Sequence, residues 1–269
     1  MTDASEDRVN RFRAEAASRG LPSGEVEEWI RVALPAVYLA EGGDGPLVAR
    51  TGGDPVLPPG VPVPSDPFVA SVDLAALPPG ATGLPLPSDG HLLFFSGTDA
   101  HGVGERVPDA VLYVPAGTPV SPVPLGHGRR TPYKARDLRT VWHQSSAQMP
   151  ESFALDTWGA FPDEEQFDLA DELGDAWAQV GGYRPPWVLQ LGGHPVSPQN
   201  DPVHYARDPG EAGPAGHGTE DADDWALLAT WWCGDDVPEL DSGVAHWVIR
   251  RRDVAALRFD RALRYVEMA

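Results

Sequence analysis

The sequence predicts an α+β fold: mixed, mainly antiparallel sheets with a few helices, built from two related halves. Three observations predict it. Segments with helical periodicity are few and are followed by short apolar runs that read as strands. Gly and Pro are abundant, 29 of each in 269 residues, which cuts the chain into short elements. Residues 52–62 (Gly-Gly-Asp-Pro-Val-Leu-Pro-Pro-Gly-Val-Pro) and 192–202 (Gly-Gly-His-Pro-Val-Ser-Pro-Gln-Asn-Asp-Pro) share the pattern G-G-x-P-V-x-P-x-x-x-P. Each copy precedes two strand candidates, the second of which opens at a glycine, Gly90 or Gly243. The expectation is one domain over 1–269, with N-terminal helices over 3–33 and halves of approximately 35–140 and 141–269. One similarity runs out of step: Asp73–Leu77 follows the first strand of its unit, Asp253–Leu257 the second strand of its own.

Residues 3–19 read as a helix, with Asp3 as cap, Glu6 three positions on, Val9, Phe12 and Ala16 on one face, and Gly20 as stop. A second helix over 24–33 has Ser23 as its N-cap and places Val26, Trp29, Ile30 and Ala33 at helical spacing before Pro35. Ala36–Ala40 is a short strand. The Pro-rich stretch 42–90 forbids long helices and central-strand prolines, yet apolar islands interrupt it. Strands are expected at 68–74, 91–96, 111–114 and 136–144. The clearest helix spans 162–180. Pro162 is expected at its first position, Asp163, Glu164 and Glu165 in its positive first turn, and Gly181-Gly182 at its close. Phe167, Ala170, Leu173, Trp177 and Val180 form its apolar stripe, and its seven acids between 163 and 175 belong to the solvent face. Trp187–Leu191 leads into the second Gly-Gly motif. Residues 206–224 read as a polar loop, 225–232 and 244–249 as strands, and 262–268 as a final strand with helix as the alternative.

The formal charge is −20 and the pI about 4.6. Such a surface repels phosphate backbones and anionic lipid, so no nucleic-acid and no membrane partner is expected. It suits solubility, or attraction to a basic partner. The area scaling gives burial of roughly 73% of the extended-chain surface, enough for a core without staples. Cys233 is the single cysteine, so no intramolecular disulfide is possible. No apolar run approaches the roughly 18 residues of a membrane span, and Met1–Asp7 lacks the apolar stretch of a secretory signal. A soluble cytoplasmic protein is expected.

Gly-Gly-x-Pro supplies two permissive positions and then a fixed one, which makes a sharp corner with an extended lead-in. The alternative is a loop that offers backbone amides to a ligand. It is no phosphate loop, because no Gly-Lys-Ser/Thr follows. Enzyme signatures are missing too: there is no G-x-S-x-G, H-E-x-x-H or C-x-x-C. Cys233, beside Trp231-Trp232, reads as a structural thiol. His194, Asp201 and His204 fall within eleven residues but have no recognised ligand spacing. The runs Asp221, Asp223, Asp224 and Asp235, Asp236, Glu239, Asp241 lack the order of a calcium loop. No metal and no cofactor is assigned.

Taken in order, several segments resemble one family. Gly52–Pro58 precedes Phe68–Leu74 and then Asp89–Phe95. Later come Gln190–Pro195, Gln199, Asp201-Pro202 and Trp225–Leu228, with Asp241-Ser-Gly243, Asp253 and Phe259 near the end. The set resembles the YwqG-like family, a domain of unknown function (DUF1963), over roughly 35–269. The family pattern carries Gln-Ile-Asp in the strands after both Gly-Gly motifs. Here those positions read Ser71-Val-Asp73 and Ala229-Thr-Trp231, and Glu239-Leu240 stands where a tryptophan is usual. The resemblance implies a soluble single α+β domain of two related halves, with no established activity to carry over.

Related halves suggest a cleft between them, the default place for a ligand. Arg50, Asp73, His194, Gln199 and Asp201 are expected to face it, with Gly52, Gly53, Pro55, Gly192, Gly193 and Pro195 forming the corners. Eight of the nine tryptophans lie at or after residue 142; most belong in the core, and a minority in such a groove. The favoured function is a non-enzymatic cytoplasmic binding module for a small molecule or a protein. Two alternatives stay open: an acidic immunity-type protein that neutralises a basic partner, and an enzyme with dispersed acid/base residues.

Overall fold

The computed structural model describes residues 3–97, 110–124, 133–146, 149–159, 161–181, 187–197, 200–207, 224–234, 237 and 243–267. Four helices form one layer: α1 (Asp3–Arg19), α2 (Ser23–Val32), α3 (Pro150–Trp158) and α4 (Glu164–Val180). The expected apolar stripes meet in a core of their own, which holds Phe12, Trp29, Phe153, Leu173 and Trp177. Phe12 meets Trp177 edge-on at 5.0 Å, and Trp29 lies 4.8 Å from Phe153. Arg8 stacks over Trp177 at 4.2 Å and donates to its carbonyl.

Two helix starts differ from expectation. α2 is capped by Pro22, not Ser23, because extended Pro22 already offers its carbonyl to Val26 N. In α4, Asp163 and Gln166 bond reciprocally, each side chain to the other's backbone N–H at 2.9 Å. That capping box starts the helix after Asp163 and leaves Pro162 outside it. α3 was not visible in the sequence. Gly182 lies outside the described residues, and Gly181 ends α4 in a right-handed conformation.

The strands are β1 (Leu34–Ala40), β2 (Leu47–Thr51), β3 (Val56–Leu57), β4 (Phe68–Asp73), β5 (His91–Phe95), β6 (Val111–Val114), β7 (Ser121–Pro122), β8 (Arg136–Ser146), β9 (Leu189–Gly192), β10 (Trp225–Trp232), β11 (Val244–Arg250) and β12 (Leu263–Glu267). Ten of them make one sheet in the order β12-β11-β10-β9-β1-β8-β2-β4-β5-β6, and β3 and β7 form a separate ribbon. Every described pairing is antiparallel, where mixed sheets were expected. From the central β1–β8 pair two flanks run outward, β2-β4-β5-β6 on one side and β9-β10-β11-β12 on the other. The sequence boundary at 140/141 falls inside β8.

The sheet curls until its inner face closes on itself. Six strands separate β5 from β11, yet Phe94 and Trp247 lie 5.0 Å apart. Tyr133 meets Trp231 at 4.7 Å, and Arg264 of β12 pairs with Asp66 just before β4. Val37, Leu39, Val72, Leu191 and Ile249 fill the enclosed core, together with the buried thiol of Cys233. Residues alternate across a strand, so Arg50, Ser71, Gln190, Thr230 and His246 are turned to the outer face, while Thr51 and Arg264 stand on the inner one, opposite Ala70 and Trp247. Two short helices complete the described fold, α5 (Pro202–Arg207) and α6 (Arg251–Ala255). Among the described residues no helix is long and apolar enough to cross a membrane.

Candidate functional site

Both Gly-Gly pairs turn the chain off the end of a strand. Gly52 and Gly53 have φ of 60° and 73°, Gly192 and Gly193 of 65° and 75°. A Cβ on Gly52 would lie 2.1 Å from the Tyr133 carbonyl oxygen, and one on Gly192 2.4 Å from that of Thr82. Only glycine fits both the conformation and the space. The first pair spends its amides on the fold: Gly52 N donates to Val69 O at 2.9 Å and Gly53 N to Tyr133 O at 3.1 Å.

The first flank carries on its outer face the cross-strand row Asp137–Arg50–Ser71–Leu93–Leu112. Beside it runs the row Asp73–His91–Val114. All of these but Leu112 line a groove of about 850 Å³, within the usual size for a ligand site. Phe68, Leu93 and Val114 give the floor its apolar part, and Val56 and Val120 stand exposed at one rim. Arg50 pairs with Asp137 at 3.1 Å, and Arg136 with Glu41 at 3.3 Å. Asp73 accepts from Ala75 N at 3.0 Å and so caps the 3₁₀ turn 74–76. Ser71, Asp73 and His91 are the residue types of a nucleophilic relay, but no hydrogen bond joins any two of them.

The second flank carries the matching row Tyr38–Gln190–Thr230–His246–Tyr265. Here Gln190, Thr230 and His246 are fully buried. Thr230 Oγ1 and His246 Nδ1 share a hydrogen bond of 2.8 Å. Gln190 Nε2 donates to Gly192 O at 2.9 Å and His194 O at 2.7 Å. Gln190 Oε1 and His246 Nε2 have no partner among the described residues. Burial pushes the His246 pKa down to about 3 and raises that of Tyr265, with help from the Asp201 charge.

The chain itself covers this row. Gly192 ends β9, and Ser197 already bonds Glu267 on β12, three strands away. Three strand spacings are about 14 Å, which five extended residues just span. His194 Nε2 donates to Val32 O at 2.7 Å, at the end of α2. Burial lowers the His194 pKa, against the opposing pull of that carbonyl and of Asp201. Asp201 caps α5 through Val203 N (2.8 Å) and His204 N (3.2 Å) and accepts from Ser152 Oγ of α3 at 2.9 Å. Arg207 pairs with Asp156 of α3 at 3.3 Å. α5 then packs Val203 and Ala206 against Trp225, Leu227 and Val248.

The five expected cleft residues therefore part company. Arg50 and Asp73 line the groove. His194 and Asp201 fasten the helical layer to the opposite flank. Gln199 lies outside the described residues. The groove also lies on one outer face rather than between the halves, because the inward faces are apolar and close on each other. Ser71, His91, Asp137, Glu41 and Arg136 join the groove unforeseen. One sequence signal pointed to the two rows: Arg50 and Gln190 each stand two residues before a Gly-Gly pair. Among the described residues no three His, Cys, Asp or Glu side chains gather as a metal site. Asp224 pairs with Arg252 at 3.5 Å, while Asp221, Asp223, Asp235, Asp236, Glu239 and Asp241 lie outside the described residues.

No curated protein sequence matches this one significantly. The family described as a domain of unknown function, DUF1963, matches residues 49–267, from the strand that carries Arg50 to the end of the strand that carries Tyr265. The chain belongs to that family.

Proposed function

We propose that this protein is a binding module whose site is the outer groove of the first flank. One observation carries the reading: the row Asp137–Arg50–Ser71 opens into a groove of about 850 Å³, whereas its counterpart on the second flank is sealed by the chain. Side chains held by paired strands are pre-positioned, so a ligand would order little on binding. The proposal is non-enzymatic, because Ser71, Asp73 and His91 are not joined into a relay. The matched flanks fit two copies of one ancestral unit, of which one keeps an open site and the other has become a fastening for the helices. A cytoplasmic location fits the same proposal, since a single cysteine leaves no intramolecular disulfide to form.

A thermal-shift screen over metabolites and short peptides tests it, run on the native chain and on Ser71→Trp. Ser71 faces the groove and is half-buried, so an indole there fills the floor. The expected result is a ligand that raises the Tm of the native chain by several degrees and leaves Ser71→Trp unmoved. A ligand that shifts both proteins equally would place the site elsewhere.

A further inference from the structure

We infer that this groove takes a small zwitterion, an α-amino acid with an apolar side chain, an inference that rests on the groove being the binding site. One ion pair decides the class. Arg50 and Asp137 stand opposite each other on neighbouring strands and pair at 3.1 Å. Among the described residues neither side chain has another hydrogen-bond or ion-pair partner. Both are largely exposed, so the pair adds little to the fold and opens at small cost. On the other side of Arg50 stands the half-buried Ser71. The row thus runs from carboxylate to guanidinium to hydroxyl. Beyond it the lining turns apolar, with Leu93, Phe68 and Val114, and Val56 and Val120 exposed at the rim.

Ligands of different charge meet this pair differently. An anion on Arg50 displaces Asp137 and then lies beside it, like charge against like. A cation on Asp137 does the same to Arg50. A neutral ligand leaves the pair closed and uses neither charge. A zwitterion enters between the two. Its carboxylate takes the Arg50 guanidinium, two oxygens on two parallel N–H groups, and accepts from the Ser71 hydroxyl. Its ammonium donates to the carboxylate that Arg50 gives up, Asp137. Each partner lost is replaced by one of the same sign, so the match holds whatever other charges surround the groove. An α-amino acid carries both charged groups on one carbon, close enough to serve two side chains that lay 3.1 Å apart. Its side chain then extends along the row, past Ser71 to the rim of Val56 and Val120, where apolar surface leaves water. A groove of about 850 Å³ leaves room for a side chain as large as that of phenylalanine.

The test is isothermal titration calorimetry on the full chain with L-phenylalanine and its two halves. Phenethylamine lacks the carboxylate, and 3-phenylpropanoate lacks the ammonium. Phenylalanine is expected to bind at least about tenfold more tightly than either half, because each half forgoes one charge-assisted bond. Arg50→Gln should weaken phenylalanine by about tenfold and leave phenethylamine no weaker. Asp137→Asn should weaken phenylalanine to a similar degree and leave 3-phenylpropanoate no weaker. Damage to the fold would lower all three ligands together and could not produce this crossed pattern. Phenylalanine that fails to bind at millimolar concentration, binds no better than its halves, or binds the native chain and both variants alike would overturn the inference. The two proposals fail separately. If a screened ligand depends on Ser71 but is not a zwitterion, the groove stands and the amino acid falls. If no ligand depends on Ser71, both fall.

Discussion

The two outer faces share a backbone plan and differ in what covers them. On one flank the row Asp137–Arg50–Ser71 is open to the groove, and only beyond it is Leu93 buried, under Leu57 with Phe68, Phe95 and Val114. On the other, Tyr38–Gln190–Thr230–His246 is sealed under residues 192–197, α5 and the ends of α2 and α3. The side chains follow the cover. The open row holds a guanidinium and a carboxylate, which water stabilises. The sealed row holds an amide, a hydroxyl and a neutral imidazole, which survive burial by bonding to each other and to backbone carbonyls. The comparison teaches that cover, more than strand pairing, decides whether a row of polar residues can serve as a site.

The sharpest way to break this comparison is to move a residue across it. Gln190→Arg puts the open row's guanidinium in the sealed row. The amide's bonds to Gly192 and His194 are lost, and a charge is placed where Gln190 is fully buried. Such changes cost about 3–5 kcal/mol. Urea unfolding should show this as a large fall in midpoint, or as failure to accumulate folded protein. A loss under ~1 kcal/mol would mean that the row can open to water.

A second, smaller effect comes from acid. His246 has its folded pKa near 3, against about 6.5 for the unfolded chain. The unfolded state therefore takes up a proton below pH 6.5 that the folded state refuses until pH 3. Stability falls with pH across that window at about 1.4 kcal/mol per unit, or about 2 kcal/mol by pH 5. His194, also lowered by burial, acts in the same direction. The lowered carboxylates Glu27, Glu28 and Asp260 lose stability only below pH 5, since their unfolded pKa values lie at or below 4.5. Chemical denaturation at pH 7 and pH 5 should thus show a loss that His246→Gln reduces. An identical loss in that variant would show that the imidazole is not sealed.

Much of the fold was legible because local pattern decides it. The stripe Ala170–Leu173–Trp177 marks a helix whatever else the chain does, and the long apolar runs at 91–95 and 225–232 mark strands. β2 stayed hidden for a physical reason: a bulge between Leu47 and Ala49 breaks its alternation inside a Pro-rich stretch. α3 stayed hidden because its buried Ser152 looks polar until Asp201 accepts its hydrogen bond, 49 residues later. The site was half legible. Proximity to the motif singled out Arg50 and Asp73 as site residues, but not the equivalence of Arg50 with Gln190 across the motif offset, which marks the two rows. Nothing local told which row would be covered, because the covering stretch 192–197 is held down by partners distant in sequence, Val32 and Glu267. His194 and Asp201 looked like ligands for the same reason, being polar residues whose partners, Val32 and Ser152, only the fold supplies.

The smallest expected effect is the most discriminating. Arg50→Gln gives the open row the residue of the sealed one. Arg50 and Asp137 keep 72% and 60% of their side-chain surface, and ion pairs so exposed contribute little. Stability should change by no more than about 0.5 kcal/mol, measured by the same urea titration. The exchange of both residues, Arg50→Gln with Gln190→Arg, should then be as unstable as Gln190→Arg alone, because the two sites share no partner and their effects add. If instead the first substitution rescued the second, the two rows would be energetically coupled through the curled sheet. If Arg50→Gln alone cost more than ~1 kcal/mol, Arg50 would be holding the fold rather than facing a ligand, and the open flank would be as structural as the sealed one.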